Sequence, residues 1–298
     1  MSHMSGVVVV DKPAGITSHD VVRDLRRVFG TRKIGHAGTL DPMATGVLVL
    51  GVNSGTRTLG HLTLTTKAYR ATIRLGASSS TDDAEGTISA ITSVEHLTDS
   101  QIRDHLAQQV GTIWQRPSSV SAIKVNGKRA HALVRAGESV ELPQRQVTIE
   151  SIDVDKISHD GVWCDITVNV VCSSGTYIRA IARDLGESLE VGGHLTALRR
   201  TAVGPFGVDR SHSLESIVRE ENPWSRVLDL GSVAQMVWPS FIVDESQEKA
   251  ISLGQRIPTP DPVGAGTIAL LNQRSELLAL GEVKGDVVSY KAVFVNNS

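Results

Sequence analysis

Gly35-His36-Ala37-Gly38-Thr39-Leu40-Asp41-Pro42-Met43-Ala44-Thr45-Gly46 sets three glycines and a proline around a single acid. Glycine tolerates positive φ and carries no bulk, so a carboxylate in such a loop can approach a ligand closely. Asp-Pro is equally a common turn opening, and this stretch alone leaves both readings open. The chain around it changes period. Upstream, Val7 to Val10 is a β-branched run ended by Asp11-Lys12-Pro13-Ala14-Gly15, which predicts a short buried strand and a turn. Val21, Val22, Leu25, Val28 and Phe29 then share one arc of a helical wheel, with Arg23, Arg26 and Arg27 opposite and Gly30 as the stop. Downstream, Gly46 to Val52 returns to strand.

Farther along, Tyr69, Ala71, Ile73 and Leu75 alternate with Arg70, Thr72 and Arg74, as in a half-exposed strand. On that evidence Tyr69 is as well explained as a core tyrosine. Thr98 and Gln101 form a capping-box pair ahead of a stripe of Ile102, Leu106 and Val110. Thr81-Asp82-Asp83-Ala84-Glu85-Gly86 lacks the alternation of a calcium loop and reads as a polar turn after a strand. Between Gln115 and Arg145, Arg116, Lys124, Lys128, Arg129, Arg135 and Arg145 outnumber Glu138 and Glu141, which predicts a solvated basic excursion. Val162 to Cys172 alternates as a strand, Ser173-Ser174-Gly175 breaks it, and Ile178, Ile181, Ala182 and Leu185 mark a helix. A boundary is expected between Arg219 to Pro223 and Pro239. Beyond it, short strands at Thr267 to Leu271 and Val287 to Val295 suggest a small β-rich appendage.

The 298 residues are 40% hydrophobic and 21% charged, which describes a globular chain and argues against disorder. No run approaches the ~20 apolar residues of a membrane helix, and the amino terminus lacks a signal core; a cytoplasmic location is expected. Cys164 and Cys172, in one strand, would lie roughly 26 Å apart, too far to bridge. The net charge of −2 argues neither for nor against nucleic acid, since local clusters govern such binding.

Three separated segments resemble the motifs of the TruB family of tRNA pseudouridine synthases: Lys12-Pro13-Ala14-Gly15-Ile16-Thr17-Ser18, Gly35 to Gly46, and Ser173-Ser174-Gly175-Thr176-Tyr177-Ile178-Arg179. Lys67-Ala68-Tyr69-Arg70 lies between them as the family pattern has it, and Leu198-Arg199-Arg200 follows. The resemblance runs from about residue 6 to 212. It implies an α+β pseudouridine-synthase fold with a mixed, mainly antiparallel central sheet. It also implies a catalytic domain over 5–235, interrupted by an RNA-clamping insertion at about 115–145, and a small PUA-like RNA-binding domain over 236–298. The activity implied is isomerisation of the T-loop uridine at position 55 of tRNA, without cofactor or metal, by a monomer that needs no obligate protein partner and no membrane.

The resemblance implies roles for individual residues. Asp41 matches the catalytic aspartate, Arg179 the arginine that pairs with it, and Tyr69 the tyrosine packed on the target base. Tyr177 and Leu198 match residues lining the uracil pocket, Lys12 a lysine supporting the first motif, and His36 a residue that stacks where the flipped base was. Lys124, Lys128 and Arg129 fall in the insertion and would meet RNA phosphates, with Arg23, Arg26, Arg27, Arg32 and Lys33 extending the positive track. Gln115-Arg116-Pro117-Ser118-Ser119-Val120-Ser121-Ala122-Ile123-Lys124 keeps much of the insertion's opening pattern, with two departures: Ser118 stands where a second proline is common, and His131 where tyrosine is usual. Two other classes of function remain at this stage. A tRNA-binding or folding module would not need the Asp41, Tyr69 and Arg179 set. A glycosidase acting on other substrates would need a second carboxylate, which the matched motifs do not supply.

Overall fold

The computed structural model describes residues 4–118, 124–125, 128–129, 142–260 and 266–295. Ser119 to Ile123, His131, Arg135, Glu138 and Glu141, which figure in the reading of the insertion, lie outside the described residues.

Strand β1 (Gly6–Lys12) is buried over almost its whole length, as its β-branched run requires. Helix α1 (Ser18–Val28) starts at an N-cap, Thr17, whose side chain accepts from Asp20 N in a capping box, and ends before Gly30 at φ 61°. Then come β2 (Ile34–His36), β3 (Thr45–Val52), the short α2 (Leu59–Thr63) and β4 (Lys67–Leu75). The Thr98–Gln101 capping box opens α3 (Asp99–Ala107), which buries Ile102 and Leu106; Val110 lies past its end and is exposed. Strand β5 (Gly111–Gln115) precedes a minimal hairpin of β6 (Lys124–Val125) and β7 (Lys128–Arg129).

Two long strands follow, β8 (Arg145–His159) and β9 (Cys164–Cys172). Val162 falls outside β9 and is exposed. Along β8, register shifts between Ile149 and Ser151 and between Val154 and Lys156 break the period of two, so no clean alternation marks this strand in the sequence. The chain continues through α4 (Ile178–Ser188), β10 (Gly193–Val203), β11 (Phe206–Gly207), β12 (His212–Ser213), α5 (Leu214–Arg219), α6 (Leu230–Val237), β13 (Ser240–Ile242), α7 (Glu245–Ser252), β14 (Thr267–Leu271), β15 (Leu277–Lys284) and β16 (Val287–Val293).

These elements form two compact units. The first comprises Met1–Asp41, Val47–Thr63 and Gly204–Ser298. In it β1 lies between β12 and β3, and β2 pairs antiparallel with β3. Val8, Val10, Val21, Leu25, Phe29, Leu48 and Leu50 pack into one apolar cluster, with Trp224 edge-on to Phe29 at 4.9 Å. The same unit holds the four-stranded sheet β13-β14-β15-β16. Both faces of β14 are covered: Ile268 and Leu270 pack with Val243, Ile251 and Val288, while Ala269 and Leu271 pack with Ala234, Leu277 and Leu280. Burial on both faces explains why this strand reads as a continuous apolar run.

The second unit comprises Pro42–Gly46 and Leu64–Val203. Its sheet runs β10-β4-β9-β8-β5 with every pair antiparallel, and the first two residues of β3, Thr45 and Gly46, lie parallel to Arg199 and Arg200 at the free edge of β10. Helix α4 packs on β10 and β4, and α3 packs on α4 and β8. Cys164 and Cys172 are both free and buried on one face of β9, and burial pushes each thiol up to about 11, so neither supplies a reactive thiolate.

Gly46 is where the signature loop of the opening stretch joins this sheet. Its φ is 100°, and a Cβ there would collide with the Arg200 carbonyl. Gly46→Ala is therefore expected to lower stability by about 2 kcal/mol or more, read as a lower urea midpoint. Gly60→Ala, inside α2 and with nothing within 4 Å of the added Cβ, should not lower the midpoint and should raise it slightly.

Candidate active site

In the first unit, the loop that ends at Asp41 is fixed from two sides. The β2–β3 ladder pairs Ile34 with Val52 and His36 with Leu50, and Ala37 N donates to Val49 O at 2.9 Å. From the other side, the buried Ser18 hydroxyl accepts from Leu40 N at 2.8 Å and donates to Leu40 O at 3.2 Å. Both main-chain groups of the residue before Asp41 are thus held by the first residue of α1, while Gly38 turns at φ 96°. Asp41 itself is half-buried. Holding the main chain beside Asp41 restricts where its carboxylate can be placed, which is one part of the preorganisation a reacting group needs.

Lys12 is fully buried, and its Nζ donates to Pro13 O at 2.9 Å and Ile16 O at 2.7 Å. The ammonium thereby pins the turn that leads into α1 and so into Ser18. His36 is half-buried, its ring T-shaped to that of His19 at 6.2 Å.

In the second unit, Tyr69 sits on the inward face of β4, 8% exposed. The β10 register sets Leu198 opposite Ala71 and Arg200 opposite Tyr69, so tyrosine, leucine and arginine share one face of the sheet. Lys67, two residues before Tyr69, is on that face too. Tyr177 is the N-cap of α4 and does not cap it with its own side chain. The buried Gln115 holds the main chain of this N-cap residue: its Oε1 accepts from Tyr177 N at 2.8 Å and its Nε2 donates to Tyr177 O at 3.1 Å. The Arg145 guanidinium lies over the Tyr177 ring at 4.5 Å and donates to Gly175 O.

Arg179 follows in the first turn of α4 and is 4% exposed. Its Nη1 is 3.3 Å from Asp83 Oδ2, donates to Thr81 O at 2.8 Å and donates to Ser118 Oγ at 3.2 Å. One helical turn on, Arg183 pairs with Asp82 at 3.2 Å and donates to Arg116 O at 2.8 Å. The acidic stretch at Thr81 to Gly86 is thus a turn, as expected, but Asp82 and Asp83 are buried under two arginines of α4 instead of facing water. Likewise Gln115 and Ser118, at the mouth of the basic excursion, are buried rather than solvated. Removing one partner of so buried a pair typically costs ~3–5 kcal/mol, because the other charge is left uncompensated.

Ser18, Asp83, Gln115 and Arg200 were given no role by the sequence. A serine directly after an N-cap threonine, and an aspartate pair ahead of a glycine, were the available signals. The arrangement offers a held carboxylate in one unit and, in the other, an aromatic and aliphatic sheet face with a buried permanent cation.

Residues 26–178 match the TruB family pseudouridylate synthase N-terminal domain, and residues 179–239 match the tRNA pseudouridylate synthase B C-terminal domain. The chain is 52% identical to tRNA pseudouridine synthase B of Corynebacterium aurimucosum, over 94% of this chain and 93% of that one. It is 50% identical to the protein of the same name from Rhodococcus jostii, over 94% and 91%. Among solved structures, a Cbf5-Nop10-Gar1 complex contains a chain that aligns with a TM-score of 0.75 and 26% identity, covering 97% of this chain and 85% of that one. The chain belongs to the TruB family of pseudouridine synthases, and its fold is the pseudouridine-synthase fold.

Lys67 donates to Thr65 O at 2.7 Å, and burial, reinforced by the positive charge of Arg200, pushes its amine down to about 8. An unfolded chain holds this proton up to about 10.4. Between those values the unfolded state binds the extra proton, so stability rises with pH across that window, and the cost of burying the cation is fully present below it. Lys67→Met should flatten this rise when urea midpoints are compared between pH 7.5 and 10.

Proposed function

We propose that this chain converts a uridine in the T-loop of tRNA, the one at position 55, into pseudouridine, with Asp41 as the reacting carboxylate. The observation that carries the reading is the pairing of about half identity to tRNA pseudouridine synthases along nearly the whole chain with an Asp41 clamped through Leu40. The N1–C1′ bond of the uridine breaks, the uracil turns within the site, and C5 bonds to C1′ while the C5 proton leaves and N1 takes one up. Attack of the carboxylate on C1′, attack on C6 and a glycal route each require Asp41 ionised. Arg179 is the partner we assign to it. A guanidinium stays charged at all working pH values, so it holds a nearby carboxylate in its anionic form and fixes its direction.

The uracil would lie on the face shared by Tyr69 and Leu198, with Tyr177 at its rim. Tyr69 presents its ring to the base and its hydroxyl to the C5 proton. A uridine stacked in an RNA loop must be extruded to reach this site, and His36 would fill the vacated place in the stack. Lys12 acts at one remove, through the turn it pins. Phosphates of the T-arm would meet Lys124, Lys128 and Arg129. They would also meet a concave surface of about 460 Å3 lined by Arg23, Arg26, Arg27, Gly30, Thr31 and Arg32.

We further read residues 5–235 as the catalytic domain and 236–298 as a PUA-like RNA-binding domain; the four-stranded sheet of β13 to β16 supports the second assignment. Among the described residues no helix is long and apolar enough to cross a membrane. A tRNA substrate is the support for a cytoplasmic location.

Unmodified tRNA carrying tritium at uridine C5 tests the catalytic reading. The wild-type protein should release tritium, and Asp41→Asn should slow release on the order of 1,000-fold or more while still binding tRNA. A wild-type protein that binds tRNA and releases none would leave a binding or folding module as the function. Equal release by Asp41→Asn would remove that residue from the chemistry.

Neutralising Lys124, Lys128 and Arg129 together should weaken tRNA binding and make the slope of log affinity against log salt shallower by roughly 2, with turnover at saturation falling less. An unchanged slope across a salt series would reject phosphate contacts there.

A further inference from the structure

Ser118 lies three residues beyond β5, at the mouth of the basic segment, and is fully buried. A serine hydroxyl carries one hydrogen and two lone pairs. Here the O–H donates to Thr81 O at 3.2 Å, and the oxygen accepts from Arg179 Nη1 at 3.2 Å. The same Nη1 donates to Thr81 O at 2.8 Å. Hydroxyl, guanidinium and carbonyl therefore close a triangle, each group in contact with the other two.

The plain alternative is that the hydroxyl satisfies a buried polar group. It is not needed for that. Thr81 O already accepts from Arg179, and Nη1 already has Thr81 O and the Asp83 carboxylate 3.3 Å away. Burying a hydroxyl is costly unless it is bonded, so an alanine would fill this place more cheaply if packing were the requirement. What the hydroxyl adds is direction. Thr81 O and Asp83 already face this nitrogen, so Ser118 Oγ is a third acceptor, and each acceptor in a new direction narrows the range over which the guanidinium can turn.

We propose that Ser118 is a positioning residue for the reaction, setting the orientation of the Arg179 guanidinium; this rests on the reading that Arg179 serves the reaction. Gln115, three residues earlier, grips the main chain of Tyr177, so the stretch from Gln115 to Ser118 runs along the first turn of α4 and is held at both its ends. Ser118 acts through Arg179 and touches no substrate atom.

The test is single-turnover tritium release from C5-labelled tRNA, with the rate constant at saturating enzyme and the enzyme concentration at half-maximal rate measured separately, beside melting temperatures. Ser118→Ala should lower the saturating rate on the order of tenfold, with half-saturation unchanged and the melting temperature lowered by no more than a few degrees. A wild-type saturating rate in Ser118→Ala, when Arg179→Lys is strongly impaired, overturns the role of Ser118 and leaves that of Arg179 standing. A lower melting temperature or a raised half-saturation without loss of the saturating rate marks a packing role and also overturns the proposal. A wild-type rate in Arg179→Lys removes the underlying reading itself, and this proposal with it.

Discussion

A guanidinium cannot lose its charge at any pH a cell reaches, so placing Arg179 at 4% exposure constrains everything that surrounds it. The group must find acceptors inside the protein, and the second unit is arranged to provide them. Asp83 supplies the countercharge, Thr81 a carbonyl, and Ser118 a hydroxyl. To deliver them, the turn after β4 folds inward against α4, and the chain leaving β5 passes beneath the same helix turn. Arg183, one turn along, repeats the demand and is met by Asp82 and by the carbonyl of Arg116. Two arginines four residues apart thus fix the course of two otherwise irregular segments. A hydrophobic helix face would have left both free to find other paths, because apolar contact is non-directional.

The first unit solves a different problem, mostly with neutral groups. Asp41 is only half-buried, so it is not held by burial in the manner of Arg179. Its main-chain neighbour is gripped instead. Ser18 holds both polar groups of Leu40, and the β2–β3 ladder holds the other flank of the loop. The side chain is half-exposed while the backbone that carries it is fixed. Lys12 belongs to the same device, since the turn it closes sets where α1, and therefore Ser18, begins.

How much of this was legible in the sequence depends on how far apart the partners lie. The strand face bearing Tyr69 followed from alternation, and the start of α3 from Thr98 and Gln101, because those signals are complete within a few residues. Ser18 meets Leu40 22 positions away, Gln115 meets Tyr177 62 away, and Arg179 meets Thr81 98 away. No local pattern encodes such partners, which is why Asp82 and Asp83 read only as part of a polar turn and Ser118 as a mere departure from proline. The long β8 went unread for another reason, since its bulges shift the side-chain phase twice and erase the alternation that reveals a strand. Motif resemblance bridged part of this gap. It named Arg179 from its neighbours in the chain, but it could not name Asp83, whose only distinguishing feature is where the fold puts it.

The basic segment shows the same dependence on distant partners. Gln115 and Arg145, at its two ends, stand directly opposite each other in the β5–β8 ladder. A segment rooted on a register pair has its ends already joined, so its length adds little to the entropy of closing it. Both root residues also turn toward one place. Gln115 binds the main chain of Tyr177, and Arg145 covers the Tyr177 ring and binds Gly175 O. Ser118 completes the set on Arg179. Through these contacts the chain that leaves β5 and the chain that enters β8 are both tied to the start of α4, so the register pair that joins the ends also fixes them against one helix turn.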